Sequence, residues 1–167
     1  MKRILYILSL LCLCACNSIT INQIEGTYSY KTSGIVTIVD GTTTYDASID
    51  NIMGTLDVKR LPKGDSILLV FNELNGDVVT VRAEVKGDSI LMPPYQKVYS
   101  ITTTSSSSRW LPTTSNTSKY LVTLVGHGVI MDNALMFYQR ILSGKILESG
   151  ASQSIRSNSI KTVAKKN

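Results

Sequence analysis

Turn sequences recur along this chain at a spacing that suits β-strands better than helices. Asp40-Gly41, Gly64-Asp65, Asn75-Gly76 and Gly87-Asp88 are turn pairs, and they favour tight hairpins because glycine adopts positive φ without steric cost. Between two of these turns, residues 78–85 carry apolar side chains at every odd position. This alternation predicts a strand with one face in a core and the other in water. The cadence of strand and turn predicts an all-β domain, either a barrel or a sandwich.

Two features predict irregularities in this sheet. The apolar positions of residues 45–58 switch from odd to even numbers near Asp50-Asn51, and because strand faces alternate with period 2, the switch predicts a β-bulge. The run Met92-Pro93-Pro94-Tyr95 is expected to end the first meander, since proline cannot donate a hydrogen bond to a neighbouring strand.

A long serine- and threonine-rich segment follows at residues 103–119, and its composition is typical of a loop. It contains the single tryptophan, Trp110. Two hypotheses are open for this side chain: a lid at the mouth of a ligand site, or a plug that covers the end of a barrel. We expect the plug.

The first sixteen residues have the layout of a secretory signal. Lys2 and Arg3 are followed by an apolar run that is too short to span a bilayer, which requires about 20 residues. All three cysteines, Cys12, Cys14 and Cys16, lie in this region, so we expect neither disulfides nor thiol chemistry in the body. The alternative to the lipoprotein signal described next is an ordinary signal peptide in which cysteines happen to cluster.

The run Leu13-Cys14-Ala15-Cys16 resembles the lipobox of bacterial lipoproteins. The resemblance implies cleavage after Ala15, lipidation of Cys16 and attachment to a membrane through acyl chains such as palmitate. Position 17 is asparagine, whereas an aspartate there would resemble an inner-membrane retention signal. No acidic cluster that resembles a surface-export signal follows Asn17. The expected location is therefore the bacterial outer membrane, on the periplasmic face rather than the cell surface.

These segments define the expected domain organisation. Residues 1–15 form the signal peptide, residues 16–23 a tether, residues 24–150 the β-barrel domain and residues 151–167 a polar, basic, frayed tail. Without Lys2 and Arg3, 15 basic residues remain against 12 acidic ones. Much of this mild excess lies in the tail, so we expect no nucleic-acid partner.

No arrangement of residues specifies a reaction or a metal. His127 is the only histidine and lies between two glycines, so we expect a half-exposed strand residue beside a close backbone approach. Asp46 and Asp50 share a strand face with hydroxyl side chains, which indicates a solvated surface. We expect no enzymatic activity, no cofactor and no metal.

The segment Ile24-Glu25-Gly26-Thr27-Tyr28, the hairpin cadence and the later Gly126-His127-Gly128 resemble the lipocalin-like or calycin-like domains of Bacteroidetes lipoproteins. The resemblance implies an antiparallel up-and-down barrel of about 8 to 10 strands. A β-sandwich is the alternative architecture. Tyr28 stands where lipocalins carry a tryptophan.

Two functional hypotheses follow. The first is a lipid-anchored barrel that binds a small apolar or amphipathic molecule, or an envelope partner, without catalysis. The second is a structural or accessory lipoprotein that acts only through protein contacts.

Overall fold

The structure is a computed structural model, and it describes residues 21–62, 64–105, 114–147 and 153–167. Within the described residues, the strands are preceded by a short helix, α1 (Ile21–Ile24). The strands follow in chain order: β1 (Gly26–Asp40), β2 (Thr43–Arg60), β3 (Ser66–Glu73), β4 (Val78–Lys86), β5 (Ser89–Ser105), β6 (Thr114–Met131), β7 (Ala134–Ile146) and β8 (Ser154–Lys166).

The eight strands form a closed antiparallel ring in which each strand pairs with its neighbours in sequence. The ring closes between β1 and β8, where Tyr30 lies opposite Ala164. Closing a sheet in this way removes its two free edges. The prediction of an all-β up-and-down barrel is confirmed, and the sandwich alternative is wrong.

Local sequence explains the hairpins and the expected bulge. Gly41 has φ of 57° and Gly76 has φ of 92°, values that a side chain on Cβ would strain. In the β1–β2 ladder, Thr32 lies opposite Ile52 and Gly34 opposite Ile49. Two residues of β2, at positions 50 and 51, therefore face one residue of β1, which confirms the predicted bulge.

The expected end of the meander at Pro93-Pro94 is wrong. β5 runs through both prolines and stays paired with β6, where Met92 lies opposite Gly126 and Tyr95 opposite Leu124. The two prolines thus form a bulge against one residue of β6. They end the ladder with β4 on the other side of β5, because they have no N–H group to donate to it.

The expected polar tail is also wrong for residues 154–166, which form β8 and close the barrel. The inward positions of β8 include the small polar residues Ser157 and Thr162. The inward positions of β8 also change from odd to even numbers at a register shift. Ile155 points inward before the shift, and Ile160 points inward after it. These two features hide the strand periodicity in the sequence.

The expected tether of residues 16–23 overlaps α1. Ile21 and Ile24 pack into the apolar cluster at one end of the barrel, and the Tyr28 hydroxyl donates to the Ile24 carbonyl at 2.8 Å. Lys166 on β8 donates to the Gln23 carbonyl at 2.9 Å. The helix is therefore part of the folded body and covers this end of the barrel.

Two apolar clusters fill the barrel interior. One lies at the α1 end and includes Leu56, Leu69 and Phe137. The other lies toward the opposite end and includes Tyr120 and Leu124. Ile52 and Tyr95 contact both clusters. The polar side chains buried among the described residues are Thr32, Glu73, Lys97, Gln139, Ser157 and Thr162.

Candidate functional site

The barrel wall has a seam between β4 and β5. Their ladder contains three residue pairs, from Glu84 opposite Leu91 to Lys86 opposite Ser89. Beyond Leu91 the two strands separate at the prolines, while β5 continues to Ser105 along β6. One edge of each strand is thus left without a strand partner in the described part of the wall. Unpaired strand edges present backbone N–H and C=O groups that another chain can pair with.

Apolar and polar side chains both line the seam. A hollow of 220 Å³ opens there and is lined partly by Val78, Val98 and Leu121. Leu74 is 79% exposed and Val78 is 61% exposed, both beside the β3–β4 turn. The backbone N–H of Leu74 donates to the carbonyl of Met53 on β2 at 2.9 Å, and Met53 is also exposed. Apolar side chains are therefore exposed beside the hollow, although Asp77, Gln96 and Lys97 also line it.

The floor of the seam is formed by a buried ion pair. Lys97 on β5 donates to Glu73 on β3, and both side chains are more than nine-tenths buried. The Lys97 ammonium also lies 4.8 Å from the centre of the Tyr99 ring, which is a cation–π distance. Asn75 donates to the other Glu73 oxygen at 3.3 Å. Such contacts offset the cost of removing two charges from water.

Three tyrosines surround this pair, and their pKa values are raised. Burial is the main cause for Tyr30, Tyr95 and Tyr99, and the negative charge of Glu73 adds to it because it disfavours a phenolate nearby. These phenols therefore remain neutral hydrogen-bond donors at physiological pH. The Tyr30 hydroxyl is buried without a hydrogen-bond partner among the described residues.

A small internal cavity of 10 Å³ lies beside the unpartnered hydroxyl of Tyr30. Gln139 and Thr162 also line it. This volume can hold about one water molecule, whereas ligand pockets usually measure about 300 to 1,000 Å³. Val79 and Lys97 line both this cavity and the seam hollow, so these two side chains separate the barrel interior from the surface.

The sequence analysis did not single out Glu73 or Lys97. A signal for Lys97 was present, because Tyr95, Lys97 and Tyr99 occupy alternate positions of one strand. A lysine on a face shared with apolar residues predicts a buried charge with a partner. Its partner could not be identified in the same way, since Glu73 lies on a strand that is not adjacent in the ring.

The residues predicted as sites from the sequence fall into two groups. Ala15, Cys16 and Trp110 lie outside the described residues. His127 is exposed on β6 and stacks on Tyr138 with ring centres 5.4 Å apart. The outward position predicted for Asp46 is confirmed, and the carboxylate accepts a 2.8 Å hydrogen bond from Thr37.

The close approach predicted for the glycines beside His127 is confirmed. A Cβ on Gly126 would lie 2.6 Å from the Tyr138 carbonyl oxygen, and a Cβ on Gly128 would lie 2.8 Å from the Phe137 ring. Both distances are shorter than any normal contact between such atoms, so neighbouring strands can approach here only because the side chains are absent.

Two other kinds of feature are absent from the described residues. No three histidine, cysteine, aspartate or glutamate side chains of this part cluster closely enough to hold a metal ion. No helix of the same residues has the length and apolar character needed to cross a membrane.

Comparison with known proteins adds no family to this description. No protein-family model matches the chain, and no curated protein matches it. Functional arguments therefore rest on the residues and their geometry.

Proposed function

We propose that this chain is a lipid-anchored protein of the bacterial envelope whose barrel binds an extended segment of a partner protein along the β4–β5 seam. The observation that carries this proposal is the β4–β5 ladder, which ends after three residue pairs. An extended segment can add to an exposed strand edge through main-chain hydrogen bonds, while alternate side chains enter pockets. The hollow lined in part by Val78 and Val98 supplies such a pocket.

The anchor is proposed from the resemblance of residues 13–16 to a lipobox. Five residue steps separate Cys16 from Ile21 of α1, a length that spans at most about 18 Å. The α1 end of the barrel would then face the bilayer closely. The same proposal places the protein on the periplasmic face of the outer membrane, with a lipocalin-like or calycin-like domain and no catalytic role.

Site-specific photocrosslinking in cells tests the seam. Val98 at the seam and Val129 on β6 are matched positions, since they are 37% and 39% exposed. A photoreactive amino acid at position 98 is expected to give a discrete protein adduct that is absent from position 129. Val78→Asp, which replaces an apolar side chain of the hollow with a charged one, is expected to abolish that adduct. Equal adducts at both positions, or none at position 98, would contradict the proposal.

The anchor is tested separately by Cys16→Ser. This variant is expected to lose incorporation of labelled palmitate and to leave the membrane fraction. Retention of label in Cys16→Ser would show that the lipobox assignment is wrong. The seam proposal would be unaffected, because it depends only on the folded barrel.

A second candidate function is binding of a small amphipathic molecule inside the barrel. The observation that favours it is the unpartnered Tyr30 hydroxyl beside a cavity separated from the seam by Val79 and Lys97. A ligand would enter by displacing these two side chains and would accept a hydrogen bond from Tyr30. In the crosslinking experiment, a lipid or other small-molecule adduct at position 98 would favour this function over a protein partner.

A further inference from the structure

Charge is distributed unevenly around the barrel. β6, β7, β8 and β1 are consecutive in the closed ring, and we call their outer surface the basic wall. These four strands contain eight basic residues and one acidic residue, Asp40. The basic residues, all exposed, are Lys31, Lys119, Arg140, Lys145, Arg156, Lys161, Lys165 and Lys166. β2 to β5 carry five basic and five acidic residues.

The basic wall contains two adjoining hollows. The first has a volume of 460 Å³ and is lined in part by His127, Tyr138 and Arg140. The second has a volume of 500 Å³, is lined in part by Arg156 and Lys161, and extends beyond the wall to Asp46 on the neighbouring β2. Ser159 lines both hollows, so together they form a continuous groove, which we call the basic groove.

A bulge in β8 and a glycine in β1 give the groove its shape. On β8, Ser157 and Asn158 lie opposite the single residue Val36 of β1, and this bulge interrupts the regular ladder. Ser157 uses its hydroxyl to donate to the Ile35 carbonyl at 2.6 Å, which holds the bulge in place. The neighbouring Gly34 leaves room that a side chain would fill, since a Cβ there would lie 3.0 Å from the Ser159 carbonyl oxygen.

The cations of the groove form no ion pair with a described carboxylate, although Asp46 lines the same hollow. Among the described residues, the ion pairs within 4.0 Å are Lys86 with Glu84 and Lys97 with Glu73. Neither pair includes Arg140, Arg156 or Lys161. The Lys161 ammonium lies 6.0 Å from the centre of the Tyr138 ring, and that ring stacks on His127. The three cations are therefore available to pair with anionic groups of a ligand.

We propose that the basic groove binds an acidic oligosaccharide. The cations favour carboxylate or phosphate groups, and a guanidinium such as that of Arg140 binds them in a bidentate manner. The remaining lining contains hydroxyl groups, contributed by Ser33, Thr37 and Ser159. A ligand that carries both anionic groups and many hydroxyls complements such a surface.

Asp46 distinguishes a sugar from a simple polyanion. Its carboxylate accepts one hydrogen bond from Thr37 through Oδ1, so the other oxygen can accept hydrogen bonds from sugar hydroxyls. A ligand that consists only of phosphate groups would be repelled by the same carboxylate. The concave shape also fits a chain of rings better than a flat bilayer surface.

The basic groove is independent of the seam, because the β8–β1 junction lies opposite the β4–β5 junction in an eight-stranded ring. The inference therefore goes beyond the proposed function. Substitutions in the groove are expected to leave crosslinking from position 98 unchanged.

Calorimetric titration of the full-length chain, purified in a neutral detergent, tests the charge requirement. Tetragalacturonate is the acidic probe, and maltotetraose is the neutral probe with the same number of rings. Arg140→Gln combined with Lys161→Gln is expected to weaken tetragalacturonate binding by about tenfold or more. Lys59→Gln combined with Arg82→Gln removes the same charge from exposed positions on β2 and β4 and is expected to have little effect. Equal weakening by both pairs, or equal binding of both sugars, would overturn the proposal.

Asp46→Asn tests the sugar requirement, with tripolyphosphate as an anion that carries no sugar hydroxyls. The substitution is expected to weaken tetragalacturonate binding and to strengthen tripolyphosphate binding. If both probes bind more tightly to Asp46→Asn, the groove is only an electrostatic surface and the proposal is wrong. It is also wrong if the Arg140/Lys161 variant loses binding to phosphatidylglycerol vesicles while its tetragalacturonate affinity is unchanged.

Discussion

Lys97 and Glu73 meet inside the barrel although they belong to strands that are not neighbours in the ring. β4 lies between β3 and β5 along the wall, and the two side chains pair across the interior behind it. This pair lies under the seam where β5 separates from β4. A charged side chain that points inward from an edge strand also discourages uncontrolled strand pairing. The ion pair therefore lies among the buried polar side chains of the core and next to the unpaired edge of β5.

Breaking this ion pair is expected to destabilise the barrel strongly. Lys97→Met should lower the free energy of unfolding by about 3 to 5 kcal/mol because it leaves the Glu73 carboxylate buried without its counter-ion. Combining Lys97→Met with Glu73→Leu should recover most of that loss. Urea denaturation of the two single variants and the double variant measures the coupling.

The exposed pair of Lys86 and Glu84, at 3.3 Å, provides the control. Lys86→Met should change the free energy of unfolding by less than about 1 kcal/mol. A similarly small effect of Lys97→Met would mean that water reaches the inner pair.

Two buried tyrosines are expected to respond differently to loss of their hydroxyl groups. Tyr28→Phe removes the 2.8 Å hydrogen bond to the Ile24 carbonyl and should cost about 1 kcal/mol. Tyr30→Phe removes a hydroxyl with no partner in the described structure and should be neutral or stabilising. Thermal denaturation of the two variants in parallel compares them. A larger loss in Tyr30→Phe than in Tyr28→Phe would indicate that the hydroxyl is bound to water in the adjacent cavity.

The last strand is expected to be essential for stability. Ile160 on β8 has no exposed surface, so Ile160→Ala should lower the free energy of unfolding by about 2 to 5 kcal/mol through lost burial and a new cavity. Lys165→Ala changes an exposed residue of the same strand and should have little effect. Chemical denaturation distinguishes this arrangement from a frayed tail, in which both substitutions would be neutral.

Stability is expected to fall steeply in alkaline solution. Unfolded tyrosines titrate near pH 10, whereas burial raises the pKa values of Tyr95 and Tyr99 above this in the folded barrel. Above about pH 10 the unfolded chain therefore holds fewer protons than the folded one, and the free energy of unfolding decreases as pH rises. Below that pH the contribution is fully present.

Urea midpoints between pH 8 and pH 11, with phenolate absorbance recorded in parallel, measure this effect. Tyr95→Phe should make the decrease shallower because it removes one of the raised groups. An identical pH profile in this variant would assign the alkaline loss to other residues.

The sequence predicted local features well and long-range ones incompletely. The hairpin turns, the bulge at positions 50 and 51 and the close approach beside His127 each depend on a few adjacent residues. The two prolines predict the end of the first meander because a missing N–H group breaks a ladder, but the sequence does not say which side of the strand loses its partner. Only in the folded ring is it decided that β5 keeps its ladder with β6 and loses its ladder with β4.

The candidate sites show the same division. The sequence by itself determined the all-β class, the order of the hairpins and the resemblance of its first residues to a lipoprotein signal, because these depend on composition and period. Three relationships are visible only in the tertiary structure. Residues 154–166 form the closing strand, and Lys97 pairs with Glu73. Asp46 on β2 lies beside Arg156 and Lys161 on β8. Each of these relationships joins distant parts of the chain. Their energies come from burial and charge pairing across the closed barrel, which no local pattern in the sequence records.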